Sequence, residues 1–472
     1  MTARRVLAPR IDFSALRHEF DLPDGFSADA EGEAREAAAR MFDDRADRTE
    51  LELVTIDPPT SKDLDQALLL LRRDGGYRVH YAIADVAAFV TPGGALERET
   101  WKRGQTVYLP DGKVPLHPPV LSEGAASLLP DQVRPAVLWT IDLDEAGATV
   151  AVDVARARVR SRAKLDYASV QRDADAGTPH PSVALLPEVG RLLVGLGLDR
   201  GAVNLPMPEQ EIEPDGDGWR LTLRAPVAVE EYNAQISLLT GMAAAGIMLG
   251  GGVGLLRTMP PPPTETVEAL RVAAGALGIP WPDHATPGRV IAALDFSQPR
   301  AAALLDQAAE MMRGAGYTPF DGGPPQQPLH AAVAAPYAHV TAPLRRLADR
   351  YVTEVCLALH AGAAVPSWAR EALPKLPEAM TRTDRVAGAA GRGAVDLVEA
   401  VLLQGRVGEI FEAAVLDVDP ARRRADIAID DPPVRARCEG DGLPLGERVA
   451  VRLTEADPAK RRVVFQDVQL EA

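Results

Sequence analysis

The chain has 472 residues, 46% of them hydrophobic and 25% charged, proportions of packed globular proteins that exclude a disordered or fibrous chain. Its formal net charge of −16 excludes a wholly basic nucleic-acid coat, so any nucleic acid has to be met by a local basic track. Cys356 and Cys438 are the only cysteines, which excludes a disulfide framework and a thiolate metal centre and fits a reducing, cytoplasmic setting.

The first fifty residues hold two helical patterns, 12–20 and 28–42, parted by the turn Asp21-Leu22-Pro23-Asp24-Gly25. They read as a helix-turn-helix-sized unit or as a helical arm packed on the main body. From Leu51 the texture is β-rich, with runs at 51–56, 77–90, 136–143 and 150–163. Within the last run Arg156, Arg158, Arg160, Arg162 and Lys164 alternate with Ala157, Val159, Ser161 and Ala163. In a strand the five charges line one face over roughly 26 Å, the shape of a phosphate track or of a solvated face paired with nearby acids.

From Glu230 the texture turns helical, with patterns at 232–248, 264–277, 301–313 and 395–403 and a stiff connector at Pro260-Pro261-Pro262-Pro263. The longest apolar stretches, such as 238–254, are interrupted by small residues, chiefly Gly, and fall short of a clean bilayer span. The N-terminus lacks the apolar core of a signal peptide, so no membrane association is expected. After Gly405 five short strands, 407–418, 425–429, 434–438, 448–455 and 462–467, suit a small closed barrel of OB type. The expected fold is α+β, divided into a helical unit (1–50), a large catalytic domain (51–404) and an OB-fold barrel (405–472).

Chemistry concentrates in Thr55-Ile56-Asp57-Pro58-Pro59-Thr60-Ser61-Lys62-Asp63-Leu64-Asp65-Gln66. Asp63 and Asp65 share one face of an extended stretch, and a turn at Pro58-Pro59 can fold them toward Asp57. Three carboxylates drawn to about 4 Å repel by on the order of 4 kcal/mol per pair at an effective dielectric of about 20, so such a cluster calls for a cation. Hard oxygen ligands favour Mg²⁺ or Mn²⁺. A solvated acidic loop is the other reading of these residues alone.

The wording around the acids is similar to the catalytic signature of the ribonuclease II family, in which a Thr-Ile-Asp strand end leads to an Asp-x-Asp-Asp group. Val79-His80-Tyr81-Ala82-Ile83-Ala84-Asp85-Val86, Val107-Tyr108-Leu109-Pro110 and His339-Val340-Thr341-Ala342-Pro343-Leu344-Arg345-Arg346-Leu347-Ala348-Asp349 resemble further blocks of that family in the same order. The resemblance implies an RNB-type catalytic domain whose RNA channel ends at a buried acidic site. It further implies a Mg²⁺-dependent, processive 3′→5′ exoribonuclease acting on single-stranded RNA 3′ ends, with no protein partner and a monomeric state. The family's two cold-shock domains do not fit into fifty residues, so a short form without them is expected.

By the same resemblance Asp57, Asp63 and Gln66 hold the metal, Gln66 standing where the family has its fourth acid and bringing no charge. Asp65 joins them at the reacting phosphate. Thr341 and Pro343 read as an N-cap and first-turn Pro, which puts Arg345 and Arg346 in the first turns of a helix, an end that favours anions. Arg345 takes the role of stabilising the scissile phosphate, beside Arg346. Tyr108 matches a Tyr that packs on the terminal base, and Leu205 stands where some members place a second aromatic wall. Tyr167 and Glu230 match positions that touch the last ribose, where a Glu accepting from the 2′-OH selects RNA; a core Tyr and a helix-capping Glu are the alternatives. Two rival functions follow, an RNA-binding homologue enfeebled by Gln66 and a metal-dependent endonuclease.

Overall fold

The computed structural model describes residues 11–468 except 217 and 297. Its centre is a sheet of Leu53–Ile56, Gln66–Arg73, Gly76–Ala84, Val133–Asp144 and Thr149–Leu165, with the two-residue Ala46–Asp47 added beside the last. Thr149–Leu165 runs antiparallel to Val133–Asp144, Ala157 opposite Ala136, and parallel to Leu53–Ile56, Lys164 opposite Thr55. The sheet therefore closes on itself as a ring.

Alternation buries both faces of this ring. Val54, Leu68, Tyr81, Ile83 and Trp139 point into the main core, which the helices Ala228–Gly251 and Leu347–His360 complete. Leu53, Ala67, Leu69, Ala82 and Leu138 point the other way, onto Phe89, Leu96 and the small face Ala30, Ala34, Ala37 of helix Ala28–Ala38.

Pro181–Arg200 and Ala228–Gly251 are long and apolar enough to cross a bilayer, the second of them extending N-terminally from the stretch 238–254 that fell short on sequence. They pack on each other inside the main core. Two small residues of the second helix lie at contacts: a Cβ at Gly241 would collide with Tyr337, and Ser237 Oγ lies 2.7 Å from Thr341 Oγ1.

The C-terminal strands Ile410–Asp419, Arg424–Asp430, Pro433–Glu439, Arg462–Asp467 and Arg448–Asp457 form a closed barrel in that spatial order. Val415, Ile427, Leu453 and Phe465 fill it and share one cluster with Val398, Leu402 and Leu403 of the helix Leu376–Leu403 and with Phe13 and Leu16. That helix has 28 residues, where the sequence pattern exposed only its last turns. Among the N-terminal elements, Ser14–Glu19 lies on this long helix and Ala28–Ala38 on Ala95–Arg103, so the two helices serve different parts of the body.

Candidate active site

The acidic loop joins Leu53–Ile56 to Gln66–Arg73, neighbouring strands of the ring, and is fastened along its length. Asp57 N–H donates to Leu165 O at 3.0 Å, and Ser61 N–H to Pro58 O at 3.0 Å, closing the Pro-Pro turn. Lys164 Nζ donates to Pro59 O and Ser61 O, both at 2.6 Å. Ser127 Oγ accepts from Leu64 N–H at 2.9 Å and donates to Lys62 O at 2.7 Å. Ala84 N–H donates to Asp65 O at 2.9 Å. The loop so held turns Leu64 into the core and Asp57, Asp63 and Asp65 toward one region.

Asp65 is buried. Its Oδ1 accepts from Leu344 N–H at 2.7 Å and its Oδ2 from Arg345 Nε at 3.1 Å. Burial pushes this carboxyl up to about 7 in spite of Arg345. Burial also lifts Asp57 to about 6, against the pull of Arg345 and Lys164. Asp63 is held by Lys113 Nζ at 2.8 Å from Oδ1 and by Tyr108 Oη at 3.1 Å from Oδ2. The Arg345 side chain is 47% exposed, and no protein group takes its terminal N–H donors among the described residues. They form an open fork for phosphate beside the exposed ring of Tyr108.

Several expectations need correction. Gln66 is not an open ligand: its Oε1 accepts from Tyr81 Oη at 2.5 Å and its Nε2 donates to Thr341 O at 2.6 Å, tying the ring strands to the arginine loop. Arg345 and Arg346 precede the helix Leu347–His360 instead of opening it, with Arg346 extended at φ −133°. The cap signal at Thr341 loses to pairing with a neighbour, since Thr106 N–H donates to Arg345 O at 3.0 Å and Leu347 N–H to Gly104 O at 2.9 Å. Arg346 does not face the site. It is spent on the fully buried Asp349, at 3.0 Å and 2.8 Å, whose Oδ1 also accepts from Ala342 N–H.

Glu230 caps its own helix, accepting from Val227 N–H at 3.0 Å and from Arg224 Nη1 at 2.5 Å. Tyr167 opens the helix Tyr167–Asp175, takes a 3.3 Å hydrogen bond from Asn233 and lies close enough to Asp57 and Glu230 to feel both charges. Leu205 packs on the cluster of Leu270, Leu304 and Met311.

The arginine strip has the expected alternation but is no open track. Arg156 pairs with Asp85 and Glu354, and Arg158 with Asp43 at 2.7 Å and Asp47 at 3.1 Å. Arg162 donates to Thr49 O at 2.8 Å, while Arg160 is half-buried on the same face. Lys113 and Glu123 were missed, and Asp349 entered only as the last residue of the arginine block, with no role. The Asp111-Gly112 pair, a hairpin signal, places Lys113 opposite Tyr108 and was the available clue for the first of them.

The donor chemistry at Asp57 and Asp63 is oxygen only and fits a hard cation. Asp57 is the least committed of the three, since no hydrogen bond ties its carboxylate among the described residues. Among the described residues no three His, Cys, Asp or Glu side chains stand close enough to hold an ion unaided. Any ion held there would need other oxygens, such as those of water, to complete its shell.

Residues 45–360 match the RNB domain, and residues 409–468 match the RNase II-type exonuclease C-terminal S1 domain. Among curated proteins the chain is similar to ribonuclease R of Aquifex aeolicus, 27% identical over 402 residues covering 79% of this chain and 55% of the relative. The chain thus spans little more than half the length of that relative. Among solved structures, Mycoplasma genitalium RNase R in complex with ribose-methylated single-stranded RNA superposes with a TM-score of 0.84 at 19% identity, over 97% of this chain and 77% of that one. Yeast Ssd1, a pseudonuclease, superposes with a TM-score of 0.69 at 17% identity over 88% and 54% of the two chains. With two thirds of its length matched by that domain and the barrel by the RNase II-type S1 domain, the chain belongs to the RNB family.

Proposed function

We infer that this protein hydrolyses single-stranded RNA from the 3′ end to nucleoside 5′-monophosphates, processively and with Mg²⁺ or Mn²⁺, acting as a cytoplasmic monomer. The observation that carries this reading is the buried Asp65 clamped by Leu344 N–H and Arg345 Nε while the rest of the Arg345 fork faces outward. The fork fits two oxygens of a phosphodiester and offsets the charge that builds on them as the bond breaks. Tyr108 offers a face for the terminal base, a stack of about 1–3 kcal/mol that needs no particular sequence. Asp65, lifted to about 7, is able to hold or release a proton at Oδ2 near neutral pH. Asp57 and Asp63 would hold the metal, which when bound lowers the pKa of a water and neutralises the leaving oxygen.

One observation favours a second reading, an RNA-binding homologue with little turnover: the place of the family's fourth acid is taken by a neutral amide spent on Tyr81 and Thr341. A 5′-labelled oligoribonucleotide incubated with Mg²⁺ or Mn²⁺ separates the readings. A ladder shortening from the 3′ end with release of mononucleotides is expected. Bound but intact RNA would establish the second reading, and internal fragments would establish an endonuclease instead.

A further inference from the structure

Tyr108 and Lys113 stand directly opposite each other in the hairpin Val107–Leu109 and Gly112–Val114, so both side chains leave one face of it. They close on the same carboxylate, Lys113 on Asp63 Oδ1 at 2.8 Å and Tyr108 on Oδ2 at 3.1 Å. Lys113 Nζ has a second seat at Glu123 Oε1, 2.9 Å away. Each oxygen of Asp63 is thus occupied, one of them by a full positive charge in a setting where Lys113 is only 20% and Asp63 10% exposed.

A divalent cation and an ammonium repel strongly at such range, because a half-buried site screens them far less than water does. An ion drawing on Asp63 has to dislodge Lys113, whereas the neutral Tyr108 hydroxyl can stay. Glu123 lies within reach to receive the displaced ammonium. Resting on the reading of Asp57 and Asp63 as the metal-holding pair, the geometry points to Lys113 as a built-in competitor of the divalent ion. It is a positioning residue that neutralises Asp63 in the free protein and transfers to Glu123 when an ion arrives. The neutral Gln66 sharpens this competition, since the site has one negative charge fewer with which to attract the ion.

Mn²⁺ binding to the full chain without RNA, followed by electron paramagnetic resonance, tests the idea apart from turnover. Lys113→Met should tighten binding about tenfold or more, while Lys113→Arg, which keeps the charge, should stay within about twofold of the parent. Glu123→Gln should weaken binding, and that weakening should shrink in the Lys113→Met background, because the acid acts through the ammonium. Unchanged or weaker binding in Lys113→Met, with a thermal midpoint like the parent's, would overturn the proposal. Asp57→Asn is the control: if it abolishes binding while Lys113→Met changes nothing, only the competition fails. If Asp57→Asn leaves binding intact, the metal reading fails and the competition with it.

Discussion

Adjacent arginines divide two duties between them. Arg345 is half exposed and aims its fork outward, so Arg345→Ala should cost about 10²–10³-fold in turnover while leaving the unfolding free energy within about 1 kcal/mol. Its neighbour Arg346 is spent on Asp349, whose carboxylate also carries Ala342 N–H, and breaking such a buried pair costs about 3–5 kcal/mol. Asp349→Ala should therefore show its loss in denaturant melts, and a stable but inactive variant would reverse the assignment. Asp65 allows a test by pH. Its carboxyl is raised when folded, so its contribution to stability is fully present below about pH 4 and is lost as pH rises through about 7. Asp65→Asn escapes that loss: its thermal midpoint relative to the parent should improve between pH 5 and pH 8, with turnover abolished and RNA binding kept. A midpoint difference independent of pH would mean that Asp65 is ordinary in its ionisation. The acids and Arg345 were legible because their wording is unusual. The commitments of Gln66 were not, since its partners Tyr81 and Thr341 are set by tertiary packing, and that of Arg346 was hidden because its local partner Asp349 is buried, which spacing alone does not report.

Among elements, the barrel strands were read to within a few residues because short alternating runs between turns have few other ways to bury one face. The long helix was cut to its last turns by Gly388, Gly391 and Gly393; at the last of these a side chain would meet Arg461 and Leu16, so the position is kept small by packing. The arginine strip shows the limit of period alone. Alternation put the charges on one face correctly, but nothing in the strand announces that Asp43, Asp47, Asp85 and Glu354 arrive from elsewhere to meet them. Since those arginines already have counter-ions, Arg156→Ala and Arg158→Ala should leave the salt dependence of RNA binding nearly unchanged, where a direct phosphate contact would lower its slope by about one. Filter binding at several salt concentrations decides this, and a slope reduced by one would restore the track.

At the scale of the whole molecule the barrel is not an appendage. Its core is continuous with Val398, Leu402 and Leu403 of the long helix, and Glu399, buried and pushed up to about 7 by that burial, accepts from Gln210 Nε2 at 2.7 Å and from Arg435 N–H at 3.2 Å. Deleting residues 405–472 should leave a poorly soluble remainder with a lowered thermal midpoint, because it strips that apolar stripe bare. A soluble, equally stable remainder would show two independent cores.

The closed ring of strands has one consequence for time rather than space. A sheet with free edges frays from them, whereas here every strand of the ring has a neighbour on each side, the junction of Leu53–Ile56 with Gln66–Arg73 closing at Val54 and Leu68, and the acidic loop leaves one strand and enters its neighbour. Amide protons at Val54, Thr55 and Leu68 can then meet deuterium only when the whole body opens, on the slowest clock the protein has. Hydrogen exchange should find them among the last to be replaced, with the same dependence on denaturant as global unfolding. The acids they flank would inherit that patience, keeping their places through every opening short of global unfolding.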